Sequence, residues 1–259
     1  MALYLSETTL FTGSLADLAP TKLLITTINA HSYNVAQHDE AFAKSLHKSD
    51  VLLPDGISVV LAKRWLSHSV KTHSHASLKK IAGEDLFYYE MNRLNVETYH
   101  GGSHKPTKVM FLGSNESTLQ KIKERTAKEF PNVEVYTFSP PYKPEFSEID
   151  NTKMIEAVNA IQPDVLFIGM TAPKQEKWAY NTVNSGRLAI DNCHVCCIGA
   201  VFDFYAGTVT RAPQWVIRIG MEWFYRLIME PRRMWRRYLV GNVKFLWGIF
   251  REKFIALQI

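Results

Sequence analysis

The sequence predicts an α/β fold: a parallel sheet with helices on both faces, followed by a C-terminal helical appendage. Three observations lead there. Strand-like and helix-like segments alternate over roughly the first 200 residues, as repeated βα units in a parallel sheet do. Two apolar runs, residues 23–28 and 51–53, turn polar at their ends, in Thr26-Thr27-Ile28-Asn29-Ala30 and Leu52-Leu53-Pro54-Asp55-Gly56. From Ala212 onward the pattern changes to stretches that mix Arg with Trp, Tyr and Phe. The expected division is a sheet domain over residues 1–207 and an appendage over 208–259.

Size and composition allow this. A chain of 259 residues suits one large α/β domain or a domain plus an appendage, and a 46% apolar share is enough for a sizeable core. Cys193, Cys196 and Cys197 sit close together, and Cys193-x-x-Cys196 beside His194 has a spacing used for metals and redox pairs. No second ligand pair lies nearby, and Ile198-Gly199-Ala200-Val201 reads as a buried strand, so reduced core cysteines are predicted. The first ten residues show no basic-then-apolar pattern, and no secretory signal is expected. No apolar run reaches the ~18 residues that a spanning helix needs.

The net charge of +5 is uneven: residues 211–259 carry ten Lys+Arg against three Asp+Glu, so the remainder is slightly negative. Such asymmetry points to an anionic partner for the tail.

Taken in order, the first two strand ends should face one crevice, because ligands of open parallel sheets bind outside the carboxyl ends of the strands. Thr27 and Asn29 bring hydroxyl and amide groups there. Asp55 brings a carboxylate on a corner set by Pro54 and Gly56, since Pro fixes its own φ and Gly tolerates positive φ. A carboxylate there can serve as a base, or it can cap the helix expected over residues 57–66. Both readings stand.

A helix follows over 84–95, with Leu86, Tyr89 and Leu94 toward the core, and then a His100-Gly101-Gly102-Ser103-His104 connector. Strand 108–112 stops at Gly113-Ser114 and leads into helix 116–130. Strand, glycine turn, helix is a Rossmann-like, mononucleotide-binding arrangement, which makes Gly113 and Ser114 candidate nucleotide contacts.

Strand 133–138 precedes a stiff Ser139-Pro140-Pro141-Tyr142-Lys143-Pro144 loop, and helix 149–161 precedes strand 164–168. That strand ends at Gly169, a further candidate at the nucleotide crevice. Pro173 suits a first helical turn, which places Gln175 at the same crevice as Asp55 if the sheet is parallel. Alternatively Lys174-Gln175-Glu176 is a solvated helix start. The last strand is expected over 196–202, ending at Asp203.

In the appendage, Pro213 can open a helix in which Arg218, Glu222, Arg226 and Glu230 recur every four residues as one ion-paired stripe. Pro231 starts another, with Arg232, Arg233, Arg236 and Arg237 in its first two turns. Arginines at a helix start oppose the macrodipole, so something anionic should compensate them. Trp235, Tyr238, Leu239, Phe245, Leu246, Trp247, Ile249 and Phe250 follow. This mixture suits either a helix lying in a membrane interface or one packed on the sheet.

Together these pieces resemble the WecG/TagA/CpsF family of bacterial glycosyltransferases. The matching residues are Thr27-x-Asn29, Leu53-Pro54-Asp55-Gly56, Gly83-x-Asp85-Leu86 and Phe111-Leu112-Gly113. Next come Gly169-x-x-x-Pro173-Lys174-Gln175-Glu176-Lys177-Trp178 and Gly199-Ala200-x-Phe202-Asp203-Phe204-x-Ala206-Gly207. Arg211-Ala212-Pro213, Glu222-Trp223-x-x-Arg226-Leu227 and Pro231-x-Arg233 complete the set, which runs over most of the chain in the family's order.

The resemblance implies an inverting transferase that needs no metal or other cofactor. It would move a sugar from a UDP-sugar to a membrane-embedded polyprenyl-diphosphate-sugar in surface polysaccharide biosynthesis. It casts Asp55 as general base; Thr27, Asn29 and Gln175 as substrate contacts; Asp203 as a nucleoside contact; and Arg226, Arg233 and Arg236 as diphosphate contacts. With no DxD motif in the sequence, arginine forks are the obvious way to stabilise a departing diphosphate.

Lys80 stands where the family usually has Arg, keeping the charge but losing the bidentate geometry. His68, His73 and His75 lie in a segment longer than usual, without the carboxylate or cysteine spacing of a metal site. The implied location is the inner face of a bacterial cytoplasmic membrane, with an anionic membrane surface as a partner. A homo-oligomer also stands among the candidate partners, and nucleic acid does not.

Two other classes compete. A nucleic-acid or anionic-surface binding module would use only the basic tail, but the body's slight negative charge opposes it. An oxidoreductase would need G-x-G-x-x-G after its first strand, which is missing.

Overall fold

A computed structural model describes residues 3–67, 78–100 and 107–255. Its sheet comprises β1 Leu23–Ile28, β2 Val51–Pro54, β3 Thr107–Gly113, β4 Val133–Phe138, β5 Val165–Gly169 and β6 His194–Cys197. The strands lie in the order β2-β1-β6-β5-β3-β4, every neighbouring pair parallel. Helices α1 Ala30–Ala36, α2 Glu40–His47, α3 Ile57–Ser67, α4 Gly83–His100, α5 Glu116–Glu129, α6 Glu148–Ile161, α7 Lys174–Asn184 and α8 Val201–Tyr205 complete the body. The predicted α/β architecture is therefore the one observed.

The strands are apolar on both faces because both faces are covered, and side chains alternate between them. Val109, Phe111, Val165 and Phe167 point into one core with Phe87 of α4 and Phe202 of α8. Their neighbours Met110, Leu112, Leu166 and Ile168 point into the other with Met154 of α6 and Trp178 of α7. Truncating one such buried Phe costs about 3–5 kcal/mol. The three cysteines are free and buried among these residues, and burial pushes the Cys193 thiol up to about 12. They are core residues, as predicted.

Local signals set the helix starts. Asn29 caps α1, accepting from the amides of His31 and Ser32. Asn115 caps α5 through the Thr118 amide, and Ser147 with Asp150 forms a capping box on α6.

Two expectations fail. The last strand stops at Cys197 instead of running to residue 202, because Gly199 turns the chain at φ 54 and Val201–Tyr205 is helical. A helix lets Val201, Phe202 and Tyr205 reach the core together. The Arg218 to Glu230 stripe does not form on one helix either. α9 Gln214–Arg218 and α10 Glu222–Met229 are separated by Gly220 at φ 74, and Glu222 turns to Lys80 and Arg211 instead.

α11 Pro231–Trp235 continues through one π-helical stretch, Arg236–Val240, into α12 Gly241–Ile255. α12 is no loose tail. Phe245 and Ile249 share a core with Leu5, Tyr33 and Phe42. Buried Glu252 accepts from the amides of Leu5 and Ser6 and from the Tyr33 hydroxyl at 2.6 Å. Lys63 Nζ donates to the carbonyls of Leu5, Ser6 and Thr8, completing the clasp. Among the described residues no helix is long and apolar enough to cross a membrane.

Candidate active site

A cleft of about 690 Å³ opens at the carboxyl ends of the strands, where the fold class places its ligands. The register of β1 on β2 pairs Ile28 with Pro54, which sets Thr27 and Asn29 beside Asp55. Ser114 follows β3; Gly169 and Gln175 follow β5; Asp203 lies in the first turn of α8 after β6. All of these line the cleft.

The closing wall comes from the far end of the chain: Arg211, Arg226, Arg233 and Arg237. Among the described residues, Arg226 and Arg237 each bury an Nε that has no hydrogen-bond partner, whereas buried guanidinium nitrogens are normally paired.

Asp55 sits partly buried on the predicted corner, with Gly56 at φ 128. Its amide donates to the Ile28 carbonyl, while among the described residues no hydrogen bond reaches its carboxylate. It does not cap α3, and the base reading keeps its geometry. Burial raises its pKa to about 6; the charges of Lys80 and Arg237 oppose that rise, while Glu222 and Asp85 add to it. A carboxylate poised there is ionised at neutral pH yet basic enough to take a proton.

Gln175 and Glu176 are buried, so the solvated helix start is excluded. Gln175 accepts from the Met170 amide and donates to Glu176 Oε1 at 2.8 Å, which fixes its amide at the cleft wall. Glu176 keeps its second oxygen buried without a partner, and burial raises its pKa to about 7. Asp203 is also raised, by burial first, with Arg233 and Arg226 working against it. His31 is lowered to about 4 by burial and then by Arg237, which keeps it neutral.

Three candidates fall elsewhere. Arg236 is exposed and lies over the Trp235 ring, while Arg237 occupies the cleft in its stead. Both residues open the π-helical stretch. Lys80 is outside the lining and pairs with Glu222 at 3.5 Å, acting on Asp55 only through its charge.

Gly113 is buried behind the cleft: a Cβ there would meet the Gly169 carbonyl oxygen at 2.5 Å. Its glycine is needed for strand packing, as is Gly169, where a Cβ would strike the Phe202 ring at 2.4 Å. His68, His73 and His75 lie outside the described residues. No group of three His, Cys, Asp or Glu side chains is arranged as metal ligands among the described residues.

Sequence reading missed Arg211, Arg237, Glu222 and Glu176 as cleft residues. Each carried a signal: Arg211, Glu222 and Glu176 stand in the matching family blocks, and Arg237 belongs to the arginine cluster at a helix start.

Known proteins resemble this chain over most of its length. A sequence profile described as "Glycosyl transferase WecG/TagA/CpsF family" matches residues 7–258. A Bacillus subtilis (strain 168) protein, N-acetylglucosaminyldiphosphoundecaprenol N-acetyl-beta-D-mannosaminyltransferase, is 30% identical over 217 residues, 83% of this chain and 75% of its own. A protein of the same description from Staphylococcus aureus (strain MW2) is 24% identical over 242 residues, 92% of this chain and 84% of its own. With the profile spanning nearly its whole length, this chain belongs to the WecG/TagA/CpsF family of glycosyltransferases.

Proposed function

We propose that this enzyme transfers one sugar from a UDP-sugar to a polyprenyl-diphosphate-linked saccharide, with inversion and without a metal. The observation that carries the proposal is an unbonded carboxylate, Asp55, sharing one cleft with guanidinium groups whose buried nitrogens lack partners. The acceptor hydroxyl attacks the anomeric carbon opposite the diphosphate. Its proton passes to Asp55 as the new glycosidic bond forms and the bond to the diphosphate breaks. Arg226, Arg233 and Arg237 take up the charge growing on the departing nucleoside diphosphate, as planar forks suited to phosphate oxygens. Thr27, Asn29 and Gln175 orient the reacting sugars; Ser114, Gly169 and Asp203 face the nucleoside.

The relatives' described activity makes N-acetylmannosamine the first donor sugar to test and N-acetylglucosaminyl-diphosphoundecaprenol the first acceptor. Such an acceptor places the enzyme on the inner face of a cytoplasmic membrane, held there peripherally by its basic, aromatic appendage. A cleft of about 690 Å³ lined by the arginines suits a small diphosphate better than a nucleic-acid strand, which favours a transferase over a binding module.

Asp55→Asn is the test. Transfer should fall by about 10³-fold, near the middle of the range for loss of a general base, while donor affinity measured by calorimetry stays within a few-fold. Turnover near the wild-type rate would remove Asp55 from the chemistry.

A further inference from the structure

α3 begins two residues after Asp55 and carries an apolar strip that the fold leaves uncovered. Ile57, Leu61 and Trp65 recur every four residues on one face and are 43%, 55% and 43% exposed. The opposite face, with Val59, Val60 and Leu66, is in the core. Nothing in folding rewards large apolar side chains along the outer face of a body helix, and a patch of this kind marks a contact surface.

The strip continues into the appendage at both ends. At the Trp65 end, Lys253 of α12 donates to the Trp65 carbonyl at 2.6 Å and lies over its ring. α12 itself exposes Val243, Leu246, Trp247, Phe250 and Phe254, while Phe245 and Ile249 are buried. At the Ile57 end, the Gly220 turn packs on Ile57, whose Cγ2 would lie 3.3 Å from a Cβ at that glycine. Exposed Arg218, Lys244 and Arg251 sit on the same appendage helices. Aromatic and aliphatic side chains with basic neighbours match the composition of interfacial membrane helices.

We propose that α3, a helix of the sheet domain, docks with α12 into the interfacial layer of an anionic bilayer. Charge selects this occupant: outside the cleft the appendage exposes Arg218, Arg232, Arg236, Lys244 and Arg251 and no acidic side chain among its described residues, which attracts anionic lipid and repels a second copy presenting the same face. The docking rests on the transferase reading for its purpose. Lying in the interface plane, the strip from Ile57 to Trp65 runs about 12 Å along the helix axis and turns its apolar face toward the acyl boundary. The corner bearing Asp55 is then held at the lipid surface, and a lipid-borne diphosphate-sugar reaches the base with its polyprenyl chain still in the bilayer.

Leu61→Glu and the milder Leu61→Ser, made in the full chain, test this by co-sedimentation with phosphatidylglycerol vesicles. Wild type should sediment with the vesicles, and Leu61→Glu should bind about tenfold more weakly at an unchanged melting temperature, with Leu61→Ser between them. Turnover of a vesicle-borne acceptor should fall in step, while turnover of a water-soluble acceptor with a short lipid stays at the wild-type level.

Unchanged vesicle binding, or a wild type that stays in the supernatant, would overturn the proposal. So would a wild-type oligomer in sedimentation velocity that Leu61→Glu dissolves without loss of vesicle binding, since the face would then belong to a second copy. Vesicle binding needs no catalysis. If Asp55→Asn kept full turnover while Leu61→Glu still released the vesicles, the catalytic assignment alone would fail.

Discussion

Glu252 and Asp55 are both carboxylates held partly or wholly out of bulk water, one in the clasp under α12 and one in the cleft. Around Glu252 the groups are matched. Its oxygens accept from two amides and a tyrosine hydroxyl, and the neighbouring Lys63 ammonium is met by three carbonyls. Around Asp55 they are not. Among the described residues nothing donates a hydrogen bond to its oxygens, Glu176 Oε2 has no partner, and Arg226 and Arg237 bury unpaired nitrogens. A matched cluster stabilises one conformation; an unmatched one keeps bonding capacity for a ligand and costs stability until that ligand arrives. Both clusters use the C-terminal segment, so one appendage packs into the core through its last helix and forms a wall of the cleft before it.

The contrast breaks most readily at Asp55. The loss of transfer on Asp55→Asn should come with a gain in stability. The folded-state pKa of about 6 lies above the ordinary 3.8, so this acid favours its neutral form in the fold and destabilises it once ionised. Removing that cost at pH 8 should stabilise the protein by about 1–3 kcal/mol, seen as a rise in melting temperature by scanning calorimetry. A lower melting temperature would mean that the carboxylate is structural after all.

Glu252→Ala should do the reverse. It leaves the Tyr33 hydroxyl and two amides without their acceptor and Lys63 without a nearby opposite charge, at a cost of about 3 kcal/mol and a melting temperature lower by roughly 6–12 °C. Initial rates on a water-soluble acceptor, taken well below that temperature, should stay within a few-fold of wild type. A dead enzyme with an unchanged melting point would show that the clasp belongs to the site.

Within the arm the comparison sharpens to two adjacent residues. Arg237→Lys keeps a charge in the cleft and loses the fork; transfer should fall about 10- to 100-fold, the amount that one or two charge-assisted hydrogen bonds supply. Arg236→Lys, on the exposed side, should leave donor KM and kcat near wild type. The reverse ranking, read from steady-state kinetics on UDP-sugar, would restore Arg236 to the diphosphate.

Much of this was legible because the decisive signals are local. Alternating apolar runs, the Pro54-Asp55-Gly56 corner and the Gly113-Ser114 turn define strand ends, and strand ends define the crevice. What escaped depended on distance or on one residue of phase. Whether Glu252 is buried cannot be read from α12 alone, since its partners lie about 250 positions earlier. Arg236 and Arg237 are adjacent and alike in type, and which of them faces the cleft depends on how the helix is rotated against the body. The Cys196 to Phe202 run is apolar enough for a strand or a helix, and only Gly199 in the left-handed region settles where the strand stops.

The smallest predicted effect tests the electrostatics of the cleft. If Asp55 must be ionised to accept a proton, kcat/KM should rise about tenfold per pH unit below pH 6 and flatten above it. Lys80 does not line the cleft, yet its charge holds that pKa down against burial, while its own partner Glu222 pushes it up. Lys80→Met removes the favourable charge and leaves Glu222 with one fewer cation, so both changes act in the same direction. The rising limb should move to higher pH while the plateau rate stays near wild type. A limb that stays in place, with a uniformly lower plateau, would mean that Lys80 contacts substrate directly. That outcome would return it to the role that the usual arginine of this position implies.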